Sequence, residues 1–289
     1  MLPHFPLSAP ISLDFKDELH FMLSKTTDGV SEYTFANLYL FRSRYDYQIS
    51  IDDNGALIIQ GTLNGKKFFE TPCSLPSSAV LKALLDTNDY WKCIPESILQ
   101  EFPSLADDFG IEIIEDRDNF DYLYLKTDLA VLSGKKFHKK RNLVNAFLLA
   151  YPQNSFLPLT KDLVGNAVTV LEHWREDKGS DGDYEASREA LDMFEELGLE
   201  GTVYYIKGKA AAYCLGEPLA NGRIFGLHFE KGIDEYKGIY QWVNQSFAAN
   251  LSDSYTYINR EQDLGDEGMR QAKMTYRPCG FVKKFTGKK

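Results

Sequence analysis

Apolar positions recur with two different spacings along this chain, and the switches between them mark its elements. Over 45–51, 57–63 and 66–70 they fall at every second residue, the spacing of strands with one face buried. Asp53-Asn54-Gly55 and Asn64-Gly65 separate these runs, and Asn-Gly accepts the positive φ of tight hairpin turns. Residues 14–25 and 33–41 read as helices ahead of them. After Pro76, Val80, Leu81, Leu84 and Leu85 share one helical face behind Ser77 and Ser78, which suit an N-cap. A strand over 90–94, a helix from Pro95 and a strand over 110–115 follow.

The second half repeats that order. Runs 202–207 and 210–216 alternate around Lys207-Gly208-Lys209, and 223–229 follows Ala220-Asn221-Gly222. Tyr236, Ile239, Tyr240, Val243, Phe247 and Leu251 then recur at helical spacing. A strand over 255–259, a helix over 267–276 and a strand over 280–285 complete it. The intervening 120–196 is expected to be mostly helical. In it, 135–151 sets Phe137, Val144, Phe147, Leu148 and Tyr151 against a cationic face, and Ala190, Leu191, Phe194 and Leu197 form another amphipathic stretch; 177–183 has a loop composition. The pattern predicts an α+β protein of two domains, 1–119 and 120–289, each a mixed, mostly antiparallel sheet flanked by helices.

Charge narrows the chemistry. A formal net charge of −10 over 289 residues disfavours non-specific nucleic-acid binding by the whole surface. Against it stands one dense cationic run: Lys135, Lys136, His138, Lys139, Lys140 and Arg141. No apolar run approaches the ~20 residues of a membrane span, and the N-terminal residues lack the pattern of a signal peptide. Cys73, Cys93, Cys214 and Cys279 are too dispersed for a disulfide frame or zinc site. His4, His20, His138, His173 and His228 make no His-x-x-x-His set, so no metal is expected. Together these features predict a cytoplasmic protein without stable membrane insertion.

The final third carries the most specific strings. Ala272–Phe281, AKMTYRPCGF, holds an Ala-x-x-x-Tyr-x-x-x-Gly-Phe pattern that resembles the end of a GNAT-type N-acyltransferase domain. Gly134–Phe147 (GKKFHKKRNLVNAF), His228–Ala248 (HFEKGIDEYKGIYQWVNQSFA) and Tyr257–Lys273 (YINREQDLGDEGMRQAK) accompany it. Together they resemble a bacterial family related to the C-terminal domain of phosphatidylglycerol lysyltransferase, and more distantly the Fem-type aminoacyl transferases. The likeness spans essentially the whole chain. It implies two tandem GNAT-like domains, with the working cleft in the second. It also implies transfer of an acyl or aminoacyl group, from acyl-CoA or aminoacyl-tRNA, to an amine or hydroxyl of a small molecule or peptide. A binding module for a nucleotide, peptide or tRNA, without transfer, is the alternative.

The resemblance assigns candidate roles. Glu230, ending a strand, would be the general base, and Tyr276 the acid for the leaving group; a surface ion pair and a helix-end packing contact are the plainer readings. Lys231, Gly232, Lys237 and Gly238, at a helix entrance, would hold donor phosphates, or simply form a turn. His138, Lys139, Lys140 and Arg141 would meet tRNA or nucleotide phosphates, or form a solvated face. Asn259, Arg260, Glu261 and Asp263, with Arg270 and Lys273 on the next helix, would contact substrate; capping and local ion pairs compete for the same groups.

Overall fold

Two seven-stranded sheets organise residues 1–179 and 182–289, the part of the chain described by this computed structural model. From edge to edge the first comprises Ala9–Pro10 (β1), Gln48–Ile51 (β2), Leu57–Leu63 (β3), Lys66–Glu70 (β4), Tyr90–Pro95 (β5), Lys284–Lys288 (β14) and Glu112–Glu115 (β6). The second comprises Gly280–Val282 (β13), Asp121–Leu125 (β7), Tyr257–Asn259 (β12), Ile224–Gly232 (β11), Lys209–Leu219 (β10), Glu200–Ile206 (β9) and Asn154–Pro158 (β8). The α+β class and the paired sheet-and-helix units expected from the element order are what the chain forms.

Local signals set the common part of each unit. Asn64 and Gly65 take positive φ (53° and 77°) and close the β3–β4 hairpin at the expected residues. The Ser77 hydroxyl accepts from the Val80 N–H and starts helix Ser78–Thr87. That helix carries the chain to β5, parallel to β4; helix Ile239–Asn250 does the same between β11 and β12.

Strand exchange is what the element order did not reveal. β6 leads into β7, which lies in the second sheet between β12 and β13. β13 leads into β14, which lies in the first sheet between β5 and β6. Two expectations are corrected. The segment 120–196 is not simply helical: it supplies β7, whose Asp-Tyr-Leu-Tyr-Leu has the aromatic content of a buried strand, and the edge strand β8. The strand expected over 280–285 is two strands in different sheets, divided at Lys283. Ser180 and Asp181, within the loop expected over 177–183, lie outside the described residues; Lys178 ends a helix and Asp183 precedes one.

Alternation sorts side chains onto two faces of each sheet. Leu57, Ile59 and Phe68 face a central core that also takes Val203, Tyr205, Tyr213 and Leu215 from the second sheet, with Val170, Leu171, Ala190 and Leu191 from the helices between. Ile58, Phe69 and Trp91 turn to an outer core with Leu81 and Leu84; Tyr204, Ile206 and Cys214 turn to another with Trp242 and Val243. One apolar layer therefore belongs to both sheets.

A buried polar knot locks the sheets beside it. Lys284 of β14, wholly buried, donates to Glu32 and, at 2.7 Å, to Asp121 of β7. Asp121 also accepts from the Ser31 N–H and hydroxyl at 2.9 Å, and from Asn259 Nδ2 at 3.0 Å. Among the described residues no helix is long and apolar enough to cross a membrane, and no group of His, Cys, Asp and Glu is arranged to hold a metal.

Candidate active site

β11 and β12 run parallel only over Ile224–Gly226 and Tyr257–Asn259. Beyond that, β11 continues to Gly232 while the chain after Asn259 turns away, leaving a wedge at the open end of the sheet. There lies a cavity of about 630 Å³. Its floor includes Glu230, Arg260, Glu261 and Lys273, and the first sheet's half of the chain closes it with Glu32, Phe41, Tyr45 and Lys92.

The segment 260–262 is held from both sides. Glu261 has φ +54°, a conformation uncommon for a residue with a Cβ, and the Asn259 side-chain oxygen accepts from its N–H at 2.7 Å. Lys273 spends its ammonium on the backbone: it donates to the carbonyls of Arg260 (2.6 Å), Glu261 (3.1 Å) and Gln262. Burial, reinforced by Arg260, pulls the Lys273 pKa down to about 8.

Glu230 and Arg260 fill the wedge as an ion pair, Nη2 to Oε1 2.9 Å, with side chains only 11% and 14% exposed. The Glu230 Oε2 atom is buried without a hydrogen-bond partner. The Arg260 guanidinium lies 5.3 Å from the centre of the Tyr276 ring, and Lys140 Nζ lies 3.9 Å from the same ring centre. Burial raises the Tyr276 pKa to about 12, with Arg260 opposing; burial and Arg260 lower that of Lys140 to about 8. Tyr276 is buried behind Arg260 and does not line the cavity.

A histidine, His228, also lines the cavity. β11 pairs Phe229 with Leu215 and Leu227 with Gly216, so His228 is an extra residue without a partner, a β-bulge. The bulge reverses the alternation: Leu227 belongs to the outer core and Phe229 to the central one. Gly216 opposite is required, since a Cβ there would lie 2.0 Å from the Gly226 carbonyl oxygen. The buried imidazole sits between two carboxylates, Nδ1 to Glu261 Oε1 2.7 Å and Nε2 to Glu217 Oε1 3.1 Å. Burial alone would lower its pKa, but the two carboxylates outweigh burial and raise it to about 10.

Of the residues expected from sequence, Glu230, Lys231, Arg260, Glu261 and Lys273 line this cavity. Lys231 is engaged by Asp183 at 2.7 and 2.8 Å and lies 4.0 Å from the Trp174 ring centre. The rest lie elsewhere. Asn259 is wholly buried, donating to the Gly29 carbonyl at 2.8 Å and to Asp121. Asp263 accepts from Tyr122 (2.6 Å), Arg117 (3.3 Å) and Arg270 (2.7 and 2.9 Å), and Arg270 also reaches Asp118 at 2.7 Å. Although burial opposes it, these donors hold the Asp263 carboxyl below the usual range. Gly232 accepts from the Tyr240 hydroxyl at 3.0 Å; Gly238, φ +91°, precedes helix Ile239–Asn250, and Lys237 is exposed. His138 and Lys139 are exposed on helix His138–Ala150, while Arg141 donates to the Leu132 and Gly134 carbonyls. Sequence reasoning passed over His228, because a bulge is invisible to alternation, and over Glu32 and Lys92, which only tertiary folding brings to the cavity.

The profile of the family described as phosphatidylglycerol lysyltransferase, C-terminal, matches residues 24–287. The chain belongs to this family. A solved structure of a conserved protein of unknown function from Bacteroides thetaiotaomicron is 30% identical, with a TM-score of 0.87 and 99% of each chain covered. L-PGS from Bacillus licheniformis shares the fold at 14% identity and a TM-score of 0.61, over 94% of this chain and 91% of that one. An uncharacterized protein of Mycoplasmoides gallisepticum is 24% identical over 183 residues, 61% of this chain; the match spans 58% of that relative.

Proposed function

We propose that this chain transfers an acyl or aminoacyl group, carried by acyl-CoA or aminoacyl-tRNA, to an amine or hydroxyl of a small molecule or peptide within the cavity at the β11–β12 wedge. The observation carrying this reading is the convergence there of a carboxylate, a guanidinium and an ammonium (Glu230 or Glu261, Arg260, Lys273) at an opening closed by the other half of the chain. Family membership supports it, the family being described by a lysyl transfer. In such a reaction the acceptor lone pair attacks the ester or thioester carbonyl, charge develops on its oxygen, and the leaving hydroxyl or thiol takes a proton. Arg260 suits the developing oxyanion once it is released from Glu230. Glu230 remains our candidate base and Tyr276 our candidate acid. Glu230 lines the cavity but is held by Arg260, and Tyr276 is buried behind that arginine, so each role requires the Glu230–Arg260 pair to part when substrate enters. We also propose a cytoplasmic setting, where both donor classes occur.

The test is to incubate the protein with tRNA charged with radiolabelled amino acids, or with acyl-CoA, in the presence of amine and hydroxyl acceptors including phosphatidylglycerol vesicles. Label should pass into an acceptor. Donor loss no faster than without protein, for both classes, overturns the reading. A second reading, binding without transfer of a nucleotide, peptide or tRNA, draws on the engagement of Glu230 by Arg260 and the seclusion of its second oxygen. Ligand retention without turnover is its signature.

A further inference from the structure

A second cavity, of about 430 Å³, lies where β10 turns into β11. Exposed His20, Ser24, Glu200 and Asn221 on its wall place it at the surface. Glu217 lines this second cavity and not the wedge cavity, whereas His228 and Glu261 line the wedge cavity. The Glu217–His228–Glu261 chain therefore joins the two. Its hydrogen bonds, 3.1 and 2.7 Å, fall one on each imidazole nitrogen. The other carboxylates of the wedge cavity lead elsewhere. Glu230 meets Arg260, Asp183 meets Lys231, and Glu32 meets Lys284, whose next partner Asp121 is wholly buried. Holding β10, β11 and the 260–262 segment together does not call for three titratable groups, because well-packed apolar side chains do so at least as well. A protonated imidazole donates from both nitrogens. It can therefore receive a proton at one nitrogen and release one from the other without turning.

We propose that Glu261, His228 and Glu217 form a relay that takes one proton from an amine acceptor in the wedge cavity and delivers it to the second cavity. This rests on the transfer reading above and deepens it, since the acceptor is then an amine rather than a hydroxyl. At neutral pH a free amine arrives as R–NH3+, and its lone pair is available only after a proton leaves. Amide formation from R–NH3+ and an ester or thioester yields the amide, the leaving alcohol or thiol, and one H+. Ester formation from a hydroxyl releases no net proton and has no use for the relay. Glu261 takes the first N–H proton. As it passes that proton to His228 Nδ1, Nε2 gives its own to Glu217, which sheds it into the second cavity. The proton lost on attack goes to the leaving oxygen or sulfur, the task left to Glu230 and Tyr276. Glu261 meets the acceptor and is the catalytic residue; His228 and Glu217 are positioning residues that act through it.

Glu217→Gln is the decisive variant, because Gln keeps a hydrogen bond from Nε2 but cannot take the proton, and Glu217 lies outside the wedge cavity. The first readout needs no substrate. In the full chain labelled with 15N-histidine, at pH 6, the His228 ring N–H signals are assigned by their loss in His228→Gln, and their exchange with water is followed by NMR. Wild type should exchange the Nε2 proton far faster than the neighbouring β11 backbone amides, and Glu217→Gln should slow it roughly a hundredfold, the effect of removing a positioned proton acceptor. The second readout is label transfer from charged tRNA to glycinamide or lysine as amines, and to glycerol or phosphatidylglycerol vesicles as hydroxyls. Label should pass to an amine, and Glu217→Gln should lower kcat roughly a hundredfold with KM unchanged, while Glu217→Asp recovers part of the rate. Ring exchange in wild type as slow as the β11 amides overturns the relay whether or not the variant folds. So does label on hydroxyl acceptors alone, or a wild-type kcat in Glu217→Gln; each of these leaves group transfer standing. No label on any acceptor overturns the transfer reading and the relay together.

Discussion

His228 should make the site pH-sensitive. Its pKa lies near 10 in the fold against 6.5 for a free imidazole. A raised pKa contributes stability that is fully present below pH 6.5 and is lost as pH climbs towards 10. The melting temperature of wild type should therefore exceed that of His228→Gln most at pH 6, and the gap should narrow steadily to pH 10. At pH 6 the loss should be roughly 3–5 kcal/mol, as for removing one partner of a buried ion pair. Lys140 and Lys273 act in the opposite sense. Held near 8 against 10.5, their charged forms weaken the fold below pH 8, a cost relieved as pH rises to 10.5. Lys273→Met removes that cost but leaves three carbonyls without their donor. A net loss of about 1–3 kcal/mol is expected in urea unfolding, and no loss would show the 260–262 segment to be held by Asn259 alone. Both groups were in plain view in the sequence. From sequence, Lys273 is expected to contact substrate or to pair with a nearby carboxylate, because its spacing from Arg270 on a helix says nothing of the backbone it meets.

At the level of elements, the exchanged strands decide how the halves depend on each other. We keep a division into 1–119 and 120–289 as a proposal, with β14 as the segment that returns to the first sheet. Lys284→Met leaves Glu32 and Asp121 buried without their cation, and should cost roughly 3–5 kcal/mol, read by chemical denaturation with one transition for both sheets. Two separate transitions would mean that the knot does not couple them. The bulge on β11 gives a second prediction. Gly216→Val puts a side chain where the Gly226 carbonyl already lies, so the variant should lose the His228 arrangement and melt well below wild type. The hairpins were legible because Asn-Gly turns act within a few residues. β7 and β14 were not, because a strand's sheet is chosen by partners more than a hundred residues away.

For the whole molecule, the surface is acidic overall yet carries a cationic end on helix His138–Ala150. Lys139 is exposed there, whereas Arg141 caps backbone carbonyls and Lys136 pairs with Asp128 at 2.7 Å. If this end meets tRNA, Lys135→Ser and Lys139→Ser should each lower the slope of log affinity against log salt by about one, measured by filter binding. An unchanged slope would assign the run to solvent.

The sequence by itself determined the α+β class, the repeated order of strands and helices, both hairpins, the family, and the identity of Glu230, Arg260, Glu261 and Lys273 as residues of interest. Periodicity and turn chemistry are short-range, and each can be read from neighbouring residues. Tertiary structure alone decided that Asn259, Asp263 and Arg270 are struts, that Tyr276 lies behind an arginine, that two strands change sheets, and that a bulged histidine joins Glu217 to Glu261. Those outcomes depend on which buried charges find partners, and a buried charge is satisfied by whatever the fold brings within about 3 Å, however distant in the chain.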